Sequence, residues 1–226
     1  MNLSYLRRNI TDSVRISLVN SMPGKGNLNL NNLREKLVLG TLACFALASP
    51  LANSVDAAGI PSKDEIKSIA RHSLKDMQVF KSTAHNFSIN YPDSWTKLEP
   101  KDGPIVCKFV ILNGLASYRV AVETLPAPMS LADYAKATDE QIKIAMAAAH
   151  MPVTVVSESD SKLAGVDAKK SVYTFTFEDS THIPKTEQYL AIKGNKGYVF
   201  NYTADSEIFD DFREVIDTVL KSMEFH

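Results

Sequence analysis

The sequence predicts an α/β fold, a three-layer α/β/α sandwich built on a single, mostly antiparallel sheet. Three observations lead there. Strand-like segments follow one another through tight-turn sequences, Asn113-Gly114 and Gly194-Asn195, and such turns make neighbouring strands antiparallel. Residues 105–112 (IVCKFVIL) are apolar on both faces apart from Lys108, the pattern of a central strand covered from two sides. Amphipathic segments near the start, middle and end of the domain supply the covers.

Taken in chain order, the first segment lies outside that fold. Residues 1–57 hold 6 Lys/Arg against 3 Asp/Glu, whereas residues 58–226 hold 19 against 23. Arg34 and Lys36 precede an uncharged run at residues 37–48 (LVLGTLACFALA), and Val55-Asp56-Ala57 places small residues around a cleavage point. This is the order of a secretory signal, with cleavage expected between Ala57 and Ala58 and a second candidate after Ala48. Even extended to residue 52 the run includes Gly40, Thr41 and Pro50, and it falls short of the roughly 20 apolar residues of a spanning helix. Residues 1–33 are longer than a signal needs; either Met22 is the true start or they are an organellar address. The expected organisation is a leader and cleavable signal at 1–57, a linker and N-terminal helix at 58–83, and a main domain at 84–226.

Ser62 and Glu65 form the sequence of a capping box, and Ile66, Ile69, Ala70, Leu74 and Met77 follow at near-helical spacing. A helix is predicted over 63–77, with a loop at 81–86. Whether this region packs on the domain or reaches outward stays open. Residues 87–91 (FSINY) alternate with period two, and Pro92-Asp93 ends that strand. Residues 105–112 and 117–125 read as a hairpin pair. Ser130 caps a helix that runs to His150, where Pro152 stops it. Strands are predicted at 153–158, 169–178, 187–193 and 196–204, with aromatics at alternate positions: Tyr173, Phe175 and Phe177, then Tyr198, Phe200 and Tyr202. A last helix over 207–223 carries Ile208, Phe212, Val215, Ile216, Val219 and Met223 as one stripe.

The charge balance, a net of −1, argues against a nucleic-acid binder. His72, His85, His150, His182 and His226 show no metal-ligand spacing, and the two cysteines, Cys44 and Cys107, are not a metal pair. Cleavage would leave Cys107 alone, so no intramolecular disulfide is expected. There is no Gly-x-Ser-x-Gly elbow and no phosphate loop. No catalytic residue, cofactor or metal is therefore assigned, and the chain reads as a non-enzyme. Trp95, the single tryptophan, reads either as a plug closing the core or as an anchor at a binding edge. His85, Trp95, Lys97, Lys101 and His182 are the candidate surface for a partner or ligand.

Residues 87–95 (FSINYPDSW) resemble the opening strand of the PsbP-like superfamily, F-x-x-x-Y-P-x-x-W. Residues 198–205 (YVFNYTAD) and the segment ending Lys221-Ser222-Met223-Glu224-Phe225 resemble its closing strand and helix. The likeness covers residues 84–225 and implies the α/β/α sandwich already read from the pattern. It also implies non-enzymatic roles, since the superfamily includes extrinsic subunits and assembly factors of photosystem II, DcrB-type exported proteins and Mog-type Ran-binding proteins. The expected function is that of an exported accessory protein binding another protein at a membrane surface, associated with photosystem II if the host is photosynthetic. The alternative is a periplasmic carrier of a small ligand or metal ion. The expected location is the periplasm or the extracellular space, or else a thylakoid lumen.

Overall fold

The computed structural model describes residues 61–100, 103–176 and 183–226. Helix α1 (Lys63–Ser73) starts at the expected capping box, with the Ser62 hydroxyl accepting from the Glu65 amide and the Glu65 carboxylate accepting from Ser62. It stops four residues before the predicted end, because Leu74 closes it and the chain turns into β1 (Met77–Ser82). Leu74 and Met77 both pack on the core, so their spacing imitated one more helical turn. Val79 and Phe80 instead join a strand that pairs antiparallel with β2 (Phe87–Pro92). The loop predicted over 81–86 is thus reduced to a turn. Ile66 and Ala70 of α1 are buried, so this region packs on the domain.

The described strands form two sheets where one was expected. The smaller has the order β1-β2-β10, with β10 at Glu224–Phe225. The larger has the order β3-β4-β5-β9-β8-β7-β6 and is antiparallel throughout. Its members are β3 (Thr96–Leu98), β4 (Ile105–Ile111), β5 (Ala116–Thr124), β6 (Val153–Leu163), β7 (Val166–Phe175), β8 (Pro184–Lys193) and β9 (Lys196–Asp205). The small sheet splits off because β2 pairs with β1 and β10 and with no strand of the large sheet. Strands β3 and β10, three and two residues long, carry too little pattern to be read from sequence.

Turn chemistry fixes the hairpins. Gly194 takes φ +63° between Lys193 and Lys196, the first-position glycine that a two-residue turn of the Gly-X kind requires. At 112–114 the connection is longer than the Asn-Gly pair suggested: a 3₁₀ turn in which Leu112, Asn113 and Gly114 all have positive φ. Helix α2 (Leu131–Ala148) begins on the Ser130 cap. It ends where His150 turns left-handed and Met151 donates back to the Met146 carbonyl. The last helical region is a 3₁₀ turn, Phe209–Phe212, followed by α3 (Arg213–Lys221).

Alternation along the large sheet supports two separate cores. Tyr118, Val120, Val122, Tyr198, Phe200 and Tyr202 face a cluster shared with β2, α1, the second 3₁₀ turn and α3. Ala121, Leu190 and Val199 point the other way, to a cluster shared with Tyr134, Ile142, Ala145 and Met146 of α2. The first core is mainly aromatic: Tyr91 stacks on Phe109 at 4.3 Å, Phe109 on Tyr118 at 4.9 Å and Tyr118 on Phe200 at 5.6 Å.

An ion network fastens α3 to the sheet. Glu187 on β8 is 2% exposed and accepts from Arg213 and from Lys170, each at 2.7 Å. Burial pushes its carboxyl up, but the hydrogen bonds from Arg213 and Lys170 outweigh that and hold it below the usual carboxylate range. A depressed pKa contributes stability above the unfolded value and loses it as pH falls. Thermal melts should therefore show stability declining as pH drops below about 4.5, and Glu187→Gln should flatten that acid limb while costing about 2 kcal/mol at neutral pH. An acid limb unchanged in the variant would reject the assignment.

Packing on the other face is equally tight at Gly197, where an added Cβ would lie 2.6 Å from the Tyr134 hydroxyl oxygen. That hydroxyl is bonded to Glu123 and the ring is fully buried, so it cannot swing aside. Gly197→Ala should cost about 1–3 kcal/mol and lower the melting temperature by several degrees.

Candidate functional site

Trp95 is the first candidate that the fold places, and it lies inside. It is 3% exposed, against Tyr118 (5.6 Å between ring centres) and edge-on to Phe212 (5.8 Å). Its indole N–H donates to the Ser73 hydroxyl at 3.0 Å. The plug is what the packing shows, and the indole presents no surface to a partner.

Lys97 is on the surface. It sits on β3, an edge strand, where it pairs with Glu99 at 2.7 Å and lies over the Phe80 ring at 5.3 Å. The hydrogen bond it donates to Glu99 raises its pKa, which keeps it a fixed cation. Val79, 66% exposed, and Leu98, 39% exposed, occupy the neighbouring edges β1 and β3. Lys97 over the Phe80 ring brings the edges β1 and β3 together, while in register Leu98 stands with Lys108 on the opposite face of β3 from Lys97. Exposed strand edges offer backbone groups that can pair with a second chain.

His85 belongs to a different place, the turn between β1 and β2. Its carbonyl accepts from the Tyr198 hydroxyl at 2.8 Å, and Lys196 donates to the neighbouring Ala84 carbonyl at 3.0 Å. Burial, then the charge of Lys196, lowers its pKa, which favours the neutral ring. His85, Trp95 and Lys97 are thus held by three separate elements. Lys101, His182 and the expected cleavage point between Ala57 and Ala58 lie outside the described residues.

A set of polar residues that sequence reasoning did not assemble lies on the α2 face of the large sheet. Lys108, Arg119, Asn201 and Gln188 are in register across β4, β5, β9 and β8. All four are buried. Burial, together with the Arg119 charge, lowers Lys108 to about 8. Lys108 was visible as the exception in an apolar strand, yet only the register shows what stands beside it.

Among the described residues, no three His, Cys, Asp or Glu side chains are placed to hold a metal ion. Cys107 is fully buried and burial pushes its thiol up to about 12, far from the thiolate a nucleophile needs. No helix among the described residues is long and apolar enough to cross a membrane.

The Trp95 contact is testable because it is the chain's one tryptophan. Ser73→Ala strands the indole N–H and should cost about 1–2 kcal/mol, read as a lower urea midpoint in tryptophan fluorescence. An unshifted midpoint would mean that the indole finds another acceptor.

With the geometry in view, comparison with known proteins places the fold. The solution structure of cyanobacterial PsbP (CyanoP) from Synechocystis sp. PCC 6803 aligns with a TM-score of 0.54 at 15% identity, covering 78% of this chain and 99% of that one. The Saccharomyces cerevisiae Ran-binding protein Mog1p aligns with a TM-score of 0.48 at 8% identity, over 66% of this chain and 95% of that one. No curated protein matches the sequence. The family model for PsbP matches residues 75–225, and by that match the chain belongs to the PsbP family.

Proposed function

We propose that the chain is an exported, non-enzymatic accessory protein that docks on another protein at a membrane surface. The observation that carries this reading is the PsbP domain itself, which spans most of the chain and resembles accessory subunits. The leader at residues 1–57, the cleavage point between Ala57 and Ala58 and the main domain at 84–226 belong to the same reading. They send the folded part to the periplasm, the extracellular space or, in a photosynthetic host, the thylakoid lumen. There the narrower form is association with photosystem II or its assembly.

The side formed by β1 and β3 is the docking face in this proposal. Val79 and Leu98 supply exposed apolar contact, and Lys97 supplies a cation that would orient an acidic partner. Lys101 follows β3 closely in sequence and is assigned to the same face. His85, in the turn between β1 and β2, is a separate candidate contact in this proposal, and His182 is a further one.

In-cell crosslinking of the tagged full chain in its host, with mass spectrometry of membrane and soluble fractions, tests this. A reproducible link to one membrane complex is expected. The double variant Lys97→Glu with Lys101→Glu should reduce it about tenfold or more, with the melting temperature unchanged. Recovery of monomer alone, or links that persist in the double variant, would reject the docking face.

A further inference from the structure

Helices α1 and α3 pack against each other outside the aromatic core, and an open groove of about 550 Å³ runs between them. That volume falls within the roughly 300–1,000 Å³ of ligand clefts. One wall is Lys67, Ala70, Arg71 and Leu74, at the i, i+3, i+4 and i+7 spacing of a single helix face. The other wall is the α3 face of Glu214, Asp217, Thr218 and Lys221, extended by Asp210 and Asp211 of the preceding 3₁₀ turn. Ala70 and Val215, both buried, and half-buried Leu74 give the groove an apolar floor.

Some charges of this lining are already answered. Arg213 bonds to Glu187 at 2.7 Å and pairs with Asp217 at 3.6 Å, and Asp210 pairs with Lys185 at 3.8 Å. Among the described residues, the remaining five, Lys67, Arg71, Lys221, Asp211 and Glu214, have no opposite charge within 4.0 Å. Cations of α1 thus face acids of α3 and its leading turn across the groove without bridging it. A simple anion drawn to Lys67 and Arg71 would lie against Asp211 and Glu214, and a simple cation would meet the reverse. The occupant that suits both walls carries both signs.

The α3 wall also sets how far apart those signs stand. Its unpaired acids are at the start, and Lys221 lies seven residues beyond Glu214, two turns or about 10.5 Å along the helix. An α-amino acid holds its ammonium and carboxylate on one carbon and cannot reach both ends. Three extended residues span about 10–11 Å, which carries a free amine to one end and a free carboxylate to the other. The α1 wall runs alongside for the same two turns, Lys67 to Leu74, and its charged members are cations only. They are donors for the carbonyl oxygens of such a chain.

We propose that the groove between α1 and α3 binds a short peptide, about three residues long, by its free ends. The amine donates to Asp211 and Glu214, the carboxylate accepts from Lys221, and Lys67 and Arg71 donate to the carbonyl oxygens between. Apolar side chains of the peptide rest on Ala70, Leu74 and Val215. The α1 wall precedes residues 75–225, the part matched by the PsbP family model, so this groove is completed by a helix outside the family domain. This goes beyond the accessory role and does not depend on it, since no lining residue belongs to β1 or β3.

The test is a titration of the 15N-labelled full chain with triglycine and trialanine at millimolar concentrations. Glycine is the short control, and N-acetyl-triglycine and triglycine amide each lack one charge. The two tripeptides should move backbone amide resonances of α1 and α3 saturably, and each control should bind about threefold more weakly or worse. Asp211→Asn with Glu214→Gln should lower triglycine to the affinity of its acetylated form, and Lys221→Gln to that of its amide. These side chains are exposed or half-buried, so the melting temperature should not change. If neither tripeptide moves these resonances, the walls hold solvated charges only and the proposal is wrong. It is equally overturned if glycine or a single-charge form matches triglycine, or if the variants bind triglycine as the native chain does. The crosslinking result is independent of all these outcomes, so failure of either proposal leaves the other standing.

Discussion

Tyr118, Tyr198 and Tyr202 hold the two sheets of this protein in one arrangement. Each rises from the large sheet into the aromatic core and donates its hydroxyl to a backbone carbonyl of the layer above. Tyr118 reaches Asn90 on β2 at 2.9 Å, Tyr198 reaches His85 at 2.8 Å and Tyr202 reaches Phe209 in the second 3₁₀ turn at 2.9 Å. A neutral hydrogen bond adds only about 1 kcal/mol net, but a buried carbonyl left without its donor loses more than that. The apolar rings bring the layers together without direction, and the hydroxyls then select one register among many that would bury the same area. Burial raises the pKa of all three phenols, so they remain donors across the physiological range.

That arrangement determines where function can reside. The face carrying the tyrosines is fully used: Trp95, Phe209, Phe212 and the helices seal it, and the most prominent aromatic of the sequence is inside. What remains of the sheets is the rim, where β1 and β3 end the two sheets side by side, and the opposite face under α2. These places differ physically. The rim offers exposed apolar groups and a cation, suited to a partner that arrives from outside. The α2 face holds buried amides, hydroxyls and cations beneath a helix.

Local chemistry was legible in the sequence wherever one residue decides one geometry. Ser62 and Glu65, Ser130 and Gly194 each act within a few residues, and each is found in its expected role. The antiparallel α/β character followed from alternation in the same way. Reading failed where the deciding partner is distant. Leu74 and Met77 have helical spacing, yet β1 exists because β2 pairs with it. The division into two sheets is likewise set by which strands pair, and no residue of β2 announces that. Trp95 illustrates a third limit: the sequence allowed both a plug and an anchor, and the choice rests on Ser73, 22 positions away. The polar row was the least visible feature, because Gln188 and Asn201 look like unremarkable strand residues until register sets them beside Arg119 and Lys108.

The two cores also explain how one family fold can carry different tasks. Hydrophobic residues of suitable size preserve a core while their identities drift, so a shared fold constrains volume and pattern far more than chemistry. The tyrosine-bearing core needs only its rings and three hydroxyls to keep its geometry. The face under α2 is held by a smaller apolar set, Leu190, Val199, Ile142 and Ala145 among them, and tolerates polar neighbours one rung away. Stability concentrated on one face leaves the other able to carry the cost of buried polar groups. The buried polar row under α2 is therefore the part of the interior that volume and pattern alone do not specify.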